Sequence, residues 1–502
     1  MVAMPRSTVG IATCSWGRAT PDVWNGGNYQ ILTLVVLMPL RSQPAARCDI
    51  AAGHDEATSR RRIVKMEDMI LISADDHVIE PPDLFKGRVA ARYADFAPRV
   101  VTYTNGEQRW VFEGQPLIMV ASSAVAGRKR EELAAEASRF SELRSGYYDV
   151  DARVDDMNAN GVLSSLNFPS LPGFAGELFL RGQNKNGMLA LLQAYNDWHL
   201  EHWCGSHPGR FIPLAILPLW DPEEAAAEIR RVARKGARSV CLPENPSALG
   251  LPSVHRDYWS PVLEACVDEN IVVQIHIGTA GPVAFPSPDS PADWMTSMLN
   301  IQVAGSLVDW TYSPMVRRYP ELKFAMSEGC IGWVPFIMER ADAAYRNHRF
   351  WTKQELGDLM PSDIMRRQFL FCFHEDNVGL KNRHDLGVDR IAWECDFPHA
   401  DSTWPHSPEL LWEQMKDFPR DDIDLITHEN VMRFFSFDPF KHIPREQATV
   451  GALRAKATHV RTEPQSLGGG RMPELDKELN VLTARAMMEL QERMNDGLVP
   501  VS

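Results

Sequence analysis

The sequence predicts an α/β fold, a (β/α)₈ barrel of the TIM type with a long insertion after strand 1 and a helical extension at the C-terminal end. Eight short apolar segments recur between residues 69 and 393, and such segments are typical of parallel strands buried on both faces. Segments with helical patterns separate them, as in repeated βα units. An open doubly wound sheet is the alternative, but no glycine-rich phosphate-binding turn follows any of the eight segments.

The eight apolar segments define the strands of the predicted barrel. Each has the length and the apolar content of a buried strand. In chain order we predict strands over residues 69–74, 162–168, 211–217, 239–242, 271–277, 322–326, 369–373 and 390–393.

The clearest helical signature follows the third predicted strand. Asp221 suits the N-cap, Pro222 the first helical position and Glu224 the N3 position, while Gly236 follows the last turn. We predict further helices over residues 187–203 and 258–270, after Trp333, and over residues 409–418. The longest insertion, residues 89–145, lies between strands 1 and 2, where it could cover the mouth of a site at the barrel end.

Composition excludes some classes of protein. Lys and Arg number 52 against 66 Asp and Glu, a net charge of −14, which argues against a nucleic-acid-binding surface. The chain has no apolar stretch long enough to span a membrane. Its eight cysteines form no C-x-x-C pair, which indicates reduced thiols and a cytoplasmic location.

The two ends of the chain differ from its centre. We predict a poorly ordered extension over residues 1–65, a barrel over residues 66–445, and a linker with an amphipathic helix over residues 446–502. The apolar run 31–40 lies too late for a typical secretory signal, and the regular pattern starts after Met66. Gly468–Gly470 is typical of a flexible linker, and residues 474–495 have apolar positions at helical spacing.

Polar residues follow several strands at the end where barrel enzymes place their functional groups. Asp75 and His77 follow strand 1, His276 lies at the end of strand 5, and Asp396 follows strand 8. Taken singly, His276 is explained as a core histidine, and each aspartate as a turn residue. Their joint placement favours a metal site instead, because two carboxylates and two imidazoles are ligands suited to one divalent cation, Zn²⁺ or Mn²⁺.

Four segments resemble the amidohydrolase superfamily, in particular the amidohydrolase-related branch with aminocarboxymuconate-semialdehyde decarboxylase and the resorcylate decarboxylases. They are ISADDHVIEPPDLF (72–85), VQIHIG (273–278), LKFAMSEGCIGWVPFIMERAD (322–342) and CDFPHADSTWP (395–405). The resemblance spans residues 69–439. It implies a metal-dependent barrel enzyme whose metal ligands are Asp75, His77, His276 and Asp396, and it implies a homodimer or higher homo-oligomer.

The chain departs from this branch after strand 6, where the decarboxylases usually carry a histidine that handles protons. Glu328 occupies that position, either as an acid/base group or as an acceptor that orients a metal ligand. We therefore predict first a metal-dependent hydrolase that opens a small cyclic or aromatic amide, ester or lactone with a metal-activated water. The alternative is a non-oxidative decarboxylase of an aromatic or unsaturated acid. A barrel that only binds a ligand is a third hypothesis.

Three residues are the candidate catalytic groups. Asp396 would accept and pass on a proton, and Glu328 would act as an acid or base. His399 would contact the substrate or stabilise an oxyanion, or else only hold the loop after strand 8. Arg153 and Arg340 are the candidates for binding a substrate carboxylate.

Overall fold

The computed structural model describes residues 65–117, 123–134, 137–281, 284–466 and 473–493. The described residues belong to one compact unit, residues 62–502. The predicted extension 1–65, except its last residue, and the glycines 468–470 lie outside the described residues. The domain boundaries after residues 65 and 445 stay predictions.

All eight predicted strands are present, with bounds shifted by up to four residues. They are β1 (Ile72–Val78), β2 (Ser164–Pro169), β3 (Phe211–Ile212 and Leu214–Ala215), β4 (Ser239–Pro243), β5 (Val272–His276), β6 (Phe324–Ser327), β7 (Phe369–Phe373) and β8 (Ile391–Trp393). β1 starts and ends later than we predicted, because its polar residues 75–77 are themselves strand residues and fully buried.

The strands pair in parallel, in chain order. β1, β2 and the first half of β3 form one sheet, and the second half of β3 begins a second sheet that runs through β4 to β8. Pro213 separates the halves of β3, since a proline has no N–H for the strand ladder. At the other junction the described residues form no ladder, but two backbone hydrogen bonds, Asp396 N to Asp75 O (2.9 Å) and His77 N to Phe397 O (2.7 Å), join β1 to the chain after β8.

Helices follow the strands as crossover connections. The longer ones are α1 (Val150–Asn160), α2 (Lys185–Asp197), α3 (Pro222–Arg234), α4 (Ser260–Asp268), α5 (Ala292–Tyr312), α6 (Val334–Thr352), α7 (Pro361–Gln368), α8 (Ser407–Met415) and α9 (Ala484–Arg493). The predicted cap of α3 is confirmed, since the Asp221 carboxylate accepts hydrogen bonds from the N–H groups of Glu223 and Glu224. None of the helices that the structure describes is both long enough and apolar enough to cross a bilayer.

Shorter helical segments fill the connections between these elements. They are Ala91–Ala94, Glu177–Arg181, Pro314–Arg318, Asn377–Lys381, Arg383–Leu386, Arg420–Asp424, Asn430–Phe434 and Val450–Arg454, with π-helical segments at Trp198–Cys204 and Leu425–Glu429. The segment Val450–Arg454 falls in the predicted linker, yet Val450 and Leu453 are buried in the core. The chain after residue 445 therefore contributes to the core of the unit.

The insertion after β1 contains a small sheet that we did not predict. Its antiparallel strands are Arg99–Thr102, Gln108–Phe112 and Gln115–Pro116. Sequence patterning did not reveal them because they are short, and charged residues interrupt their apolar positions.

The C-terminal helix is shorter than we predicted. Residues 474–483 do not form a helix, because the Asp476 carboxylate accepts hydrogen bonds from the N–H groups of Glu478 and Leu479 and forms a turn. The helix begins at Ala484, and the hydroxyl of Thr483 accepts a hydrogen bond from Ala486 N at 3.3 Å. The prediction over 474–495 was therefore wrong in its first ten residues.

Candidate metal centre

The four predicted metal ligands lie together at the carboxyl ends of the strands. His276 Nε2 is 3.2 Å from Asp75 Oδ2 and 3.3 Å from His77 Nε2. His77 Nε2 is 3.6 Å from Asp75 Oδ1 and 3.3 Å from Asp396 Oδ1. All four side chains are fully buried. The structure thus brings together residues from β1, β5 and the chain after β8, as the sequence predicted.

The donor atoms of this cluster fit a divalent cation. None of the four carboxylate oxygens of Asp75 and Asp396 accepts a hydrogen bond from the described residues, although all are buried. Buried charged oxygens without partners are costly unless a cation binds them. Mixed imidazole and carboxylate ligands suit Zn²⁺ and Mn²⁺. The residues therefore fit one divalent metal ion.

The tautomer of His276 also favours metal binding. Its Nδ1 lies 2.6 Å from the carbonyl oxygen of Ile277, and a carbonyl can only accept a hydrogen bond. Nδ1 therefore carries the proton, which leaves the Nε2 lone pair facing Asp75 and His77. Burial lowers the pKa of both His276 and His77, so both rings are neutral, as metal ligands must be.

The other two candidate catalytic residues border the same cluster. Glu328 Oε2 is 3.6 Å from His276 Nε2, and His399 Nδ1 is 3.0 Å from Asp396 Oδ1. The His399 ring lies over that of His77, with 3.7 Å between their centres. The positions of Asp396, Glu328 and His399 agree with the predicted roles, which themselves stay predictions.

The carboxyl groups of the cluster resist ionisation when no cation is bound. Burial raises the pKa of Asp75 and of Asp396 well above the ordinary range, and a neighbouring carboxylate raises each further. Burial, followed by the charge of Asp396, raises the pKa of Glu328 to about 8. A divalent cation would reverse this effect, because its charge favours the ionised form of the carboxylates around it.

A pocket of about 370 Å³ opens beside the cluster. Its walls are mainly apolar, and the insertion after β1 supplies part of them through Trp110, on the inserted sheet, and Leu117, just after it. Gly278 and Thr279, which follow β5, also line the pocket. Between pocket and cluster lies Phe174, whose ring centre is 4.3 Å from that of His276 and 4.7 Å from that of His77. The Phe174 ring therefore stands between a ligand in this pocket and the imidazoles of His276 and His77.

Sequence reasoning missed two residues of this site. Glu394 is fully buried and its carboxylate accepts a hydrogen bond from the N–H of Glu328. The signal for Glu394 was its place in the sequence, as an acidic residue between the predicted strand 8 and Asp396. Phe174 had no such signal, because it lies in a loop after β2 between Gly173 and Gly176, which both have positive φ.

Arg153 and Arg340 were predicted to bind a substrate carboxylate, but neither points its guanidinium at the cluster. Arg153, on α1, donates from Nη2 to the carbonyl of His77 and from Nε to that of Gly146, both at 2.6 Å. Arg340 is exposed on α6. Arg153 therefore fixes the backbone at the end of β1, and the hypothesis that it binds a substrate carboxylate has no support from these contacts.

We expect Arg153→Ala to lower the free energy of unfolding by about 3 kcal/mol, since it removes a buried charge beside Asp76 and leaves two carbonyl groups without donors. Urea denaturation measures this. Arg230→Ala is the control, because Arg230 pairs with Asp268 at the surface and its loss should cost less than about 0.5 kcal/mol. Equal effects of the two variants would contradict the assigned role.

Fold and site together define an enzyme of the amidohydrolase superfamily, a class of barrel enzymes with metal ligands at the ends of the strands. The chain belongs to the amidohydrolase family, whose model matches residues 144–437. This confirms the family predicted from the four sequence segments.

Two curated relatives each match about three fifths of the chain. The chain is 23% identical over 319 residues to a 2-amino-3-carboxymuconate-6-semialdehyde decarboxylase of Dictyostelium discoideum, covering 61% of this chain and 81% of the relative. It is 23% identical over 327 residues to a gamma-resorcylate decarboxylase of Rhizobium sp. (strain MTP-10005), covering 60% of this chain and 91% of the relative. Both relatives are named as decarboxylases, which agrees with the alternative prediction better than with the hydrolase.

Solved structures show the same fold. An amidohydrolase from Mycobacterium avium subsp. paratuberculosis K-10 superposes with a TM-score of 0.58 at 18% identity, covering 73% of this chain and 99% of that one. A 5-carboxyvanillate decarboxylase from Novosphingobium aromaticivorans, complexed with manganese and 4-hydroxy-3-methoxy-5-nitrobenzoic acid, superposes with a TM-score of 0.50 at 15% identity, covering 76% of this chain and 100% of that one. The predicted α/β barrel is confirmed.

Proposed function

We propose that the protein is a metal-dependent decarboxylase that releases CO₂ from an aromatic or unsaturated carboxylic acid without oxidation. The observation that carries the proposal is a cluster of imidazole and carboxylate groups that could hold a metal ion, near a pocket with mainly apolar walls. The similarity to named decarboxylases supports it. Mn²⁺ and Zn²⁺ are the candidate metals, and manganese in one decarboxylase of the same fold favours Mn²⁺.

Asp75, His77, His276 and Asp396 would hold the metal ion. When bound, the ion would bind and polarise the carboxylate and a neighbouring oxygen of the substrate. The bond between the ring or alkene carbon and the carboxyl carbon breaks, and the carboxyl group leaves as CO₂. The ring or alkene carbon keeps the electron pair of that bond and takes a proton from Glu328 or Asp396. Phe174 and the pocket walls would orient the flat substrate and exclude water.

Hydrolysis remains the second candidate, because one contact favours it. His399 Nδ1 lies 3.0 Å from Asp396 Oδ1, so the two residues form a pair that can take a proton from water and pass it to a leaving group. The substrate would then be a cyclic or aromatic amide, ester or lactone. The two reactions differ in their products, since only hydrolysis adds solvent oxygen to the product.

The decisive experiment incubates the purified protein, with Mn²⁺ or Zn²⁺, with 2,6-dihydroxybenzoate, 5-carboxyvanillate and a panel of lactones and amides in H₂¹⁸O. We expect CO₂ release from an acid, with one proton gained by the product. His276→Ala should abolish it, while His459→Ala, which changes an exposed histidine, should not. Incorporation of ¹⁸O into the product of a lactone or amide, with no CO₂, would establish the hydrolase instead.

We expect Phe174→Ala to raise KM for the substrate found in that panel by about tenfold, because the ring forms the wall between pocket and cluster. The value of kcat should stay within about threefold, since no proton passes through this ring. Phe350→Ala, at an exposed position of α6, is the matched control. A Phe174→Ala enzyme with unchanged KM would show that the substrate does not use this pocket.

Three further predictions accompany the proposed function. We propose that the protein is cytoplasmic and that it forms a homodimer or higher homo-oligomer, with a small organic molecule as its substrate. Light scattering on the purified protein measures the oligomeric state directly.

A further inference from the structure

The backbone of Glu328 adopts an uncommon conformation. Its φ is +55°, in the left-handed region that residues other than glycine seldom adopt. Such a conformation persists only where the surrounding structure holds it, and it is frequent at functional sites. Glu328 directly follows β6, and this backbone places its carboxyl group 3.6 Å from His276 Nε2.

Two side chains form hydrogen bonds with the backbone of Glu328: Glu394, which is buried, and Asn300, which is half-buried. The carboxylate of Glu394, after β8, accepts a hydrogen bond from Glu328 N at 3.1 Å to Oε1 and 3.3 Å to Oε2. On the other side, Asn300 Nδ2 of α5 donates to Glu328 O at 2.7 Å. Elements from two directions therefore fix the N–H and the C=O of this single residue.

Burial of the Glu394 carboxyl group costs folding free energy, which is unexpected for a residue with a purely structural role. Its side chain is fully buried. In the described part of the chain, its carboxylate accepts a hydrogen bond from Glu328 N. Its charged neighbours Asp75 and Glu328 are themselves acidic. A buried carboxylate among carboxylates destabilises the fold, and such a residue is expected where it serves the site.

We propose that Glu394 is a positioning residue, which holds Glu328 in its left-handed conformation and thereby keeps the Glu328 carboxyl group beside the metal ligands. Asn300 secures the carbonyl of the same residue. The inference rests on the proposed function in one respect, that Glu328 exchanges a proton with the substrate. Glu394 contacts neither substrate nor metal and acts only through Glu328.

The first test is structural and needs no substrate. Crystal structures of the Mn²⁺-loaded wild type, Glu394→Gln and Glu394→Leu are compared; leucine has nearly the volume of glutamate but no acceptor. We expect glutamine to keep φ of residue 328 positive. In Glu394→Leu, residue 328 should leave the left-handed region and its carboxyl group should move at least about 1 Å from His276. If Glu394→Leu does not fold, Glu394→Met takes its place. An unchanged residue 328 in the leucine or methionine variant overturns the proposal.

The second test is kinetic, with whichever of 2,6-dihydroxybenzoate and 5-carboxyvanillate the wild type decarboxylates. We expect Glu394→Leu to lower kcat by about 100-fold with KM within about threefold, because a displacement of about 1 Å suffices for such a loss. Glu394→Gln should restore kcat to within about fivefold of the wild type. In a Glu328→Gln background, Glu394→Leu should cause no further loss. A further loss of 100-fold in that background would overturn the proposal.

Two measurements separate this proposal from others. Metal content should stay at that of the wild type in Glu394→Leu, and its loss would make Glu394 a metal ligand and overturn the positioning role. Glu413→Leu, at an exposed position of α8, should change neither kcat nor the backbone at residue 328. If the wild type decarboxylates neither acid, the proposed function fails, whereas the crystallographic comparison still decides the role of Glu394.

Discussion

Asp396→Asn is expected to lower kcat/KM for decarboxylation by about 10³-fold. Asparagine has the shape of aspartate but neither its charge nor its basicity, so it is a weaker metal ligand and cannot exchange a proton. Asp396 is the side chain where these roles meet, because Oδ1 lies 3.3 Å from His77 Nε2 and 3.0 Å from His399 Nδ1. Steady-state kinetics with excess Mn²⁺ measures the loss.

Measurement of the metal content and a control variant at a neighbouring carboxylate make this prediction specific. Elemental analysis should show about one equivalent of metal in the wild type and less in Asp396→Asn. Asp401→Asn changes an exposed carboxylate of the same loop and should leave kcat/KM within about threefold. An Asp396→Asn enzyme that keeps more than a tenth of the wild-type kcat/KM would show that Asp396 neither binds an essential metal nor moves a proton.

The barrel could be predicted because its strands are buried on both faces. A segment such as residues 369–373 is apolar at every position, and that pattern is typical of a central parallel strand. β1 was harder to predict, since three of its residues, Asp75, Asp76 and His77, are polar but buried. These polar residues serve the site and not the core. The rule that buried strand residues are apolar therefore fails where the candidate metal ligands lie.

The ligands could be predicted from strand ends, whereas their environment could not. Topology brings residues 75, 276 and 396 to one end of the barrel whatever the details of packing. The contact between Glu394 and Glu328 depends on a left-handed residue, which no pattern of residue types marks. The pocket wall from Trp110 depends on the folding of an insertion that has no regular hydrophobic period.

Removing the metal is expected to make the thermal stability of the protein depend strongly on pH. Because the pKa of Asp75 and of Asp396 is raised in the folded protein, folding favours their protonated forms. The same holds for Glu328, whose pKa is about 8. The stability that these groups contribute is complete below their ordinary pKa near 4 and is lost as pH rises through their folded pKa. The Tm of the metal-free protein should therefore fall between about pH 5 and pH 8.

Bound Mn²⁺ is expected to oppose this fall. For each proton released on metal binding, the apparent affinity for Mn²⁺ rises about tenfold when the pH rises by one unit. At a fixed free Mn²⁺ concentration, this adds about 1.4 kcal/mol to the free energy of unfolding per proton and pH unit. Scanning calorimetry with EDTA and with Mn²⁺ should thus show a Tm difference that grows with pH, and a smaller growth in Asp396→Asn. A difference that is the same at pH 5 and pH 8 would mean that Mn²⁺ binds without displacing protons. The buried carboxyl groups would then not be its ligands. Protonated carboxyl groups would have to lose their protons to hold a cation, and carboxylates that were already ionised without metal would have destabilised the fold.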